Sequence, residues 1–162
     1  MDTKKIVLFT IILMITISSL SIVSAGLFGS GTQEVTVDGV KFALDDSFKI
    51  TGQQNTFINF VVKSGTTGVL TTIVNDDDLN SYIKNDTELG YSVYEVHSAS
   101  DIKEYAFVDD GIDKGYFLLF QKDGKNFAYT INLPLNAGDN EVKEVAELMT
   151  KFTKDNTDLK PV

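Results

Sequence analysis

Short β-prone runs joined by two-residue turns recur along this chain and limit its fold more than any other feature. Glu34-Val35-Thr36-Val37 and Val40-Lys41-Phe42-Ala43-Leu44 flank Asp38-Gly39, and Gly115–Gln121 and Asn126–Leu133 flank Lys122-Asp123-Gly124-Lys125. A type I′ turn needs positive φ at both central residues, which Asp and Gly tolerate best, so each Asp-Gly pair is a hairpin signal. Ser64-Gly65, between Thr56–Lys63 and Thr66–Val74, is short enough for a third hairpin. Connections of this length pair neighbouring strands antiparallel, because a parallel pair needs a crossover of about a dozen residues or more.

Other extended runs are Phe48-Lys49-Ile50, Tyr91–His97 and Ile102–Val108. Two segments have helical spacing instead. Over residues 76–89, Leu79, Tyr82 and Ile83 fall on one narrow face, Asn75 to Asp78 supply a cap and three acids, and Gly90 suits the stop. The last helix is better marked. After a cap at Asn140, Val142, Val145, Ala146, Met149 and Phe152 share one apolar face, with Glu141 and Glu144 near the positive end and Lys151 and Lys154 near the negative end. Two helices cannot cover both faces of such a sheet. The expected fold is therefore α+β, a curved, mainly antiparallel sheet with both helices packed on it.

The N-terminus reads as an address. Lys4 and Lys5 precede an uncharged, mostly apolar run from Ile6 to Val23, and Val23-Ser24-Ala25 has the small-x-small pattern of a signal-peptidase site. The reading is export with cleavage after Ala25. The alternative is an uncleaved membrane anchor, since a run of about 17–25 residues can span a bilayer. Residues 26–33, rich in glycine, form a flexible linker, residues 34–154 one domain, and residues 155–162 a polar tail that frays.

Composition excludes several function classes. The 162 residues include 23 acids, 14 bases, one His and no Cys. Without Cys there is no disulfide framework, thiol nucleophile, thiolate zinc site or iron–sulfur cluster. A net charge of −9 argues against nucleic acid as a partner. Removing residues 1–25 takes away Asp2, Lys4 and Lys5, so the domain is more acidic than the whole chain.

The most suggestive cluster is Asp109-Asp110-Gly111-Ile112-Asp113-Lys114-Gly115. Asp109, Asp110 and Asp113, on a turn loosened by glycine, could gather oxygens around Ca²⁺, the one cofactor that the residue pattern suggests. No Glu closes an EF-hand loop, Lys114 brings a positive charge into the cluster, and Asp and Gly also suit an ordinary strand connection. Asp76, Asp77 and Asp78 invite the same thought, but a helix N-terminus relieves their repulsion at about 0.3–1 kcal/mol per charge. His97 is the only side chain that titrates near neutrality in unperturbed form. Its neighbours Ser98, Ser100 and Asp101 lie too close in sequence for a triad and lack a nucleophile elbow, so His97 reads as structural and no catalytic residue is assigned. Asn85-Asp86-Thr87 is an N-glycosylation sequon at Asn85. On Gly115–Gln121, Tyr116, Leu118 and Phe120 share one face, and Phe117 and Leu119 the other. Burial of both faces competes with a binding groove on one of them.

The stretch Val37-Asp38-Gly39-Val40-Lys41-Phe42-Ala43-Leu44-Asp45-Asp46-Ser47-Phe48 resembles a pattern of small exported archaeal proteins, in which a hairpin leads into Phe-x-Ile-Pro-x-Gly-Phe. Those proteins end in a tyrosine-rich meander, a Lys-Asp-Gly-Lys turn and a final helix, as Tyr116 to Phe152 does in this chain. The layout also resembles the PsbP-like α+β sandwich, whose members are mostly non-catalytic accessory proteins of membrane complexes. The sequence departs from the exported-protein pattern with Asp45 in place of Pro and Ser47 in place of Gly. The expectation is a non-catalytic exported accessory or interaction domain at the cell surface, with an envelope protein or glycan as partner and membrane contact only through residues 6–23 if uncleaved. The alternatives are a Ca²⁺-dependent surface protein and a carboxylate-dependent cell-wall hydrolase.

Overall fold

The computed structural model describes residues 31–74, 92–95, 104–109, 111 and 113–162. Nine strands and one helix lie among them: β1 (Thr32–Val37), β2 (Val40–Asp45), β3 (Lys49–Gln54), β4 (Phe57–Lys63), β5 (Thr66–Ile73), β6 (Ser92–Glu95), β7 (Glu104–Asp109), β8 (Lys114–Lys122), β9 (Lys125–Asn132) and α1 (Asp139–Asp155). The leader, most of the linker, the helix expected over 76–89, Asn75 to Asp78, Asn85, His97 and Asp110 lie outside the described residues.

Both Asp-Gly turns form as expected. Asp38 and Gly39 have φ of 50° and 77°, and Asp123 and Gly124 have 50° and 74°, the positive values of a type I′ turn. Val37 faces Val40 across one turn and Lys122 faces Lys125 across the other. β1 and β2 form a separate two-stranded sheet, while the remaining strands form a seven-stranded sheet in the order β3-β4-β5-β9-β8-β7-β6, antiparallel throughout. The chain leaves the sheet interior at β5, resumes on the far edge at β6 and meanders back until β9 pairs with β5.

That pairing aligns the core. Ile58, Leu70, Tyr129 and Leu118 stand in one row across four strands, and Phe60, Gly68, Ile131 and Tyr116 in the next. Gly68 is needed in its row: a Cβ there would lie 2.3 Å from the Phe60 ring and 2.8 Å from the Thr130 carbonyl oxygen. On β8 the row Tyr116, Leu118 and Phe120 is buried, whereas Phe117 and Leu119 on the other face are half-buried. Across the sheet from the core rows, Phe57, Val69, Ala128 and Thr130 are buried too.

The layer over the core rows corrects the expected α+β packing of two helices on one sheet. The described residues are mostly β, in two antiparallel sheets with one helix, and the place beside that helix is taken by the β1–β2 hairpin. The physical reason is the hairpin's own alternation. Val35, Val37, Val40, Phe42 and Leu44 are buried on its inner face, while Glu34 and Lys41 form an ion pair of 2.9 Å on the outer one. From α1 come Val145, Met149 and Phe152, with Val142 and Ala146 packed beside them, so the helical stripe is the expected one. Its start differs: Gly138 is the N-cap rather than Asn140, and the Glu141 carboxylate accepts the Gly138 N–H at 3.0 Å. No helix among the described residues is long and apolar enough to cross a membrane.

The tail does not fray. Leu159 is buried, and Lys160 exchanges two backbone hydrogen bonds with Gln121 of β8 (2.8 and 2.9 Å). Asn156, only 3% exposed, acts as a peptide group in side-chain form. Its Oδ1 accepts the Ala43 N–H at 3.0 Å, and its Nδ2 donates to the carbonyls of Ala43 and Phe152, both at 2.9 Å. One amide thereby completes the outer edge of β2 and the end of α1. Asn156→Ala leaves the Ala43 N–H and C=O unpaired in a buried place, and is expected to cost about 3 kcal/mol in urea unfolding. A loss well under about 1 kcal/mol would remove this edge-completing role.

Candidate functional site

The most strongly coupled polar group lies where β2 ends against the C-terminal turn of α1. The Asp45 carboxylate accepts the Ser47 N–H at 3.0 Å and also the Ser47 hydroxyl. Lys151 stands 3.4 Å from Asp45 Oδ2 and 2.9 Å from Asp155 Oδ2, and donates to the Gly31 carbonyl at 2.9 Å. Gln33 Nε2 donates to the carbonyls of Asp45 (2.9 Å) and Phe48 (2.7 Å). The Asp45 and Ser47 side chains hold each other, so hydrogen bonds shape this turn.

The charges of this group follow from its contacts. Partial burial acts to raise the Asp45 pKa, but the Ser47 hydrogen bonds and the Lys151 charge together bring it below its ordinary value of 3.8. Burial acts to lower the Lys151 pKa, and Asp155 and Asp45 together overcome it and raise the value. Nearby, Tyr129 is wholly buried between Phe152 (ring centroids 4.1 Å apart) and Phe60 (5.9 Å). Burial first, and the Asp45 charge second, push the Tyr129 phenol far above its ordinary pKa, and its hydroxyl has no hydrogen-bond partner among the described residues. A phenol in this state stays protonated. The group ties layers together.

The residues proposed for calcium are placed differently. Asp109 ends β7 directly opposite Lys114, the first residue of β8. Lys114 Nζ lies 3.2 Å from Asp109 Oδ2 and donates to the Ala137 carbonyl at 2.9 Å. The ammonium thus sits against the oxygen that a cation would need. Asp113 is half-buried and engaged in an interaction of its own. Among the described residues no three His, Asp or Glu side chains gather closely enough to hold a metal ion.

The open clefts among the described residues include two bordered by charged side chains. One, about 380 Å³, runs along the outer face of α1 past Lys143, Glu147, Lys151 and Lys154. The other, about 320 Å³, lies between the two Asp-Gly turns and is lined by Asp38, Thr72, Ile73, Val74, Gly124, Lys125 and Asn126. Its charged residues are already joined, Lys125 Nζ lying 2.9 Å from Asp38 Oδ2 and donating to the Asp38 carbonyl at 2.6 Å. Sequence reasoning missed Asn156, Lys151 and Tyr129 as organising polar residues. Only the pairing of Asp45 with Ser47 had a local signal, since Asp two residues before Ser favours such a turn.

The chain matches no family model, and no curated protein matches it.

Two measurements test this picture. Tyr129→Phe removes a buried, unpaired hydroxyl while keeping the ring stack, so stability should rise by about 1 kcal/mol; a loss of that size would mean that the hydroxyl is satisfied in solution. The folded-state pKa of Asp45 lies below its unfolded value. Its contribution is therefore complete above about pH 4 and is lost as pH falls through the lower folded value. Thermal midpoints of Asp45→Asn should fall less steeply than wild type below about pH 4, and identical slopes would discount the carboxylate.

Proposed function

We propose that this protein is a non-catalytic accessory or interaction domain that works outside the cytoplasm, at the cell surface, with an envelope protein or glycan as its partner. One observation carries the reading. Among the described residues the ionisable groups with the clearest shifts, Asp45, Lys151 and Tyr129, join the hairpin, sheet and helix to one another, and of the three only Lys151 borders an open cleft. Perturbed pKa values at an active site accompany a cleft and a free reacting atom. Here the ion pairs are fastenings. The Lys4–Ala25 segment supports the extracytoplasmic location, and the net charge of −9 supports a partner other than nucleic acid. The resemblance of Val37–Phe48 to small exported archaeal proteins points the same way.

Fractionation of the native host, with intact mass and cross-linking on whole cells, tests both parts. The expected result is recovery from the envelope or the medium, shortened by residues 1–25 if the leader is removed, and a cross-link to one envelope component. Full-length protein found only in the cytosol, or release of sugar from wall polysaccharide by the purified domain, would overturn the proposal.

A further inference from the structure

The two Asp-Gly turns share a backbone geometry but not an environment. Asp38 is held from three sides: its N–H donates to the Asn55 carbonyl, its own carbonyl accepts from Lys125 Nζ, and its carboxylate pairs with the same ammonium at 2.9 Å. Asp123 is exposed, and its side chain has no hydrogen bond or ion pair among the described residues. At both following glycines, Gly39 and Gly124, the space where a Cβ would stand is open. Neither turn is crowded at its glycine, and restraint of the aspartate is what differs.

We propose that Asp123-Gly124 is a site of spontaneous aspartate isomerisation and that the Lys125 contact protects Asp38-Gly39 from the same reaction. The Gly124 amide nitrogen attacks Cγ of Asp123 in its carboxylic acid form. A C–N bond forms, the carboxyl C–OH bond breaks, and the hydroxyl leaves with the amide proton as water. The resulting five-membered succinimide is reopened by one water. Cleavage of the Cγ–N bond restores aspartate, and cleavage of the bond between the main-chain carbonyl carbon and the nitrogen leaves isoaspartate, with the chain running through Cβ and Cγ. Water is lost and regained, no redox partner is needed, and the mass is unchanged.

The site has structural consequences because its flanking residues are ties. Lys122 lies 5.1 Å from the centre of the Phe42 ring and 3.0 Å from Asp158, and Lys125 holds Asp38. An extra backbone atom between Lys122 and Lys125 shifts their register at the turn, and so loosens the fastening of hairpin and tail to the sheet.

The test is prolonged incubation of the full-length protein at neutral pH and body temperature, followed by peptide mapping with fragmentation that distinguishes the two linkages. Isoaspartate should accumulate at Asp123 about five-fold or more faster than at Asp38, the factor expected for restraint by an exposed ion pair. Lys125→Met should speed conversion at Asp38 and leave Asp123 unchanged. In denaturant the two rates should converge, while Asp123→Glu should abolish the Asp123 signal alone. Equal rates in the folded protein, faster conversion at Asp38, or no isoaspartate at Asp123 would overturn the proposal.

Discussion

Phe42 is where the layers of this protein meet. Its ring lies edge-on to Phe127 at 5.0 Å and to Phe120 at 5.9 Å on the sheet, and is stacked 6.3 Å from Phe152 on the helix. Aromatic pairs of this kind add about 0.5–1.5 kcal/mol each beyond burial, and emptying such a site costs about 3–5 kcal/mol. A domain is stable by only about 5–15 kcal/mol, so one ring carries a large share of what keeps hairpin, sheet and helix together. The other fastenings depend on that contact geometrically. Lys122 reaches over the Phe42 ring, and Asn156 reaches the backbone of the adjacent Ala43.

What was legible in the sequence was local. Asp38-Gly39 and Asp123-Gly124 announce their hairpins because only a few residues tolerate positive φ twice in succession. The alternation of Val35, Val37, Phe42 and Leu44 shows that one face of the hairpin is buried. Alternation cannot say which sheet that face belongs to, however. The expected single sheet under two helices fails for this reason, as the hairpin itself takes a covering position. The β5–β9 pairing was equally hidden: Leu70 finds Tyr129 across an intervening meander, and no turn residue encodes that closure. Asn156 is the extreme case, a polar residue in a polar tail whose partner Ala43 lies 113 positions away.

The candidate sites divide in the same way. Lys114 stands five positions after Asp109, and its charge was visible in the sequence, but only the facing ends of β7 and β8 set ammonium against carboxylate. Tyr129 belongs to a strand whose neighbours mark it as core, and nothing in that pattern tells whether its hydroxyl has a partner. Asp45 and Ser47 are the reverse. Asp two residues before Ser is a local turn signal, and in the structure the Ser47 N–H and hydroxyl both donate to the Asp45 carboxylate.

A chain without Cys has no covalent cross-links between its layers, and an acidic one has few cations to use as ties. Here Lys63, Lys114, Lys122, Lys125 and Lys151 each join segments distant in sequence, from strand to helix, strand to loop, strand to tail or strand to hairpin. Exposed ion pairs contribute little on average, but lysines with partly buried stems also cover apolar surface, as Lys122 does over Phe42. Among the described residues Asp46, Asp123, Asp139 and Glu147 face outward, and so do Lys41, Lys49, Lys143, Lys154 and Lys160. The net charge of −9 is set by composition, since each ion pair takes up one acid with each base. A net charge of this size is felt over about a Debye length, roughly 8 Å at physiological salt.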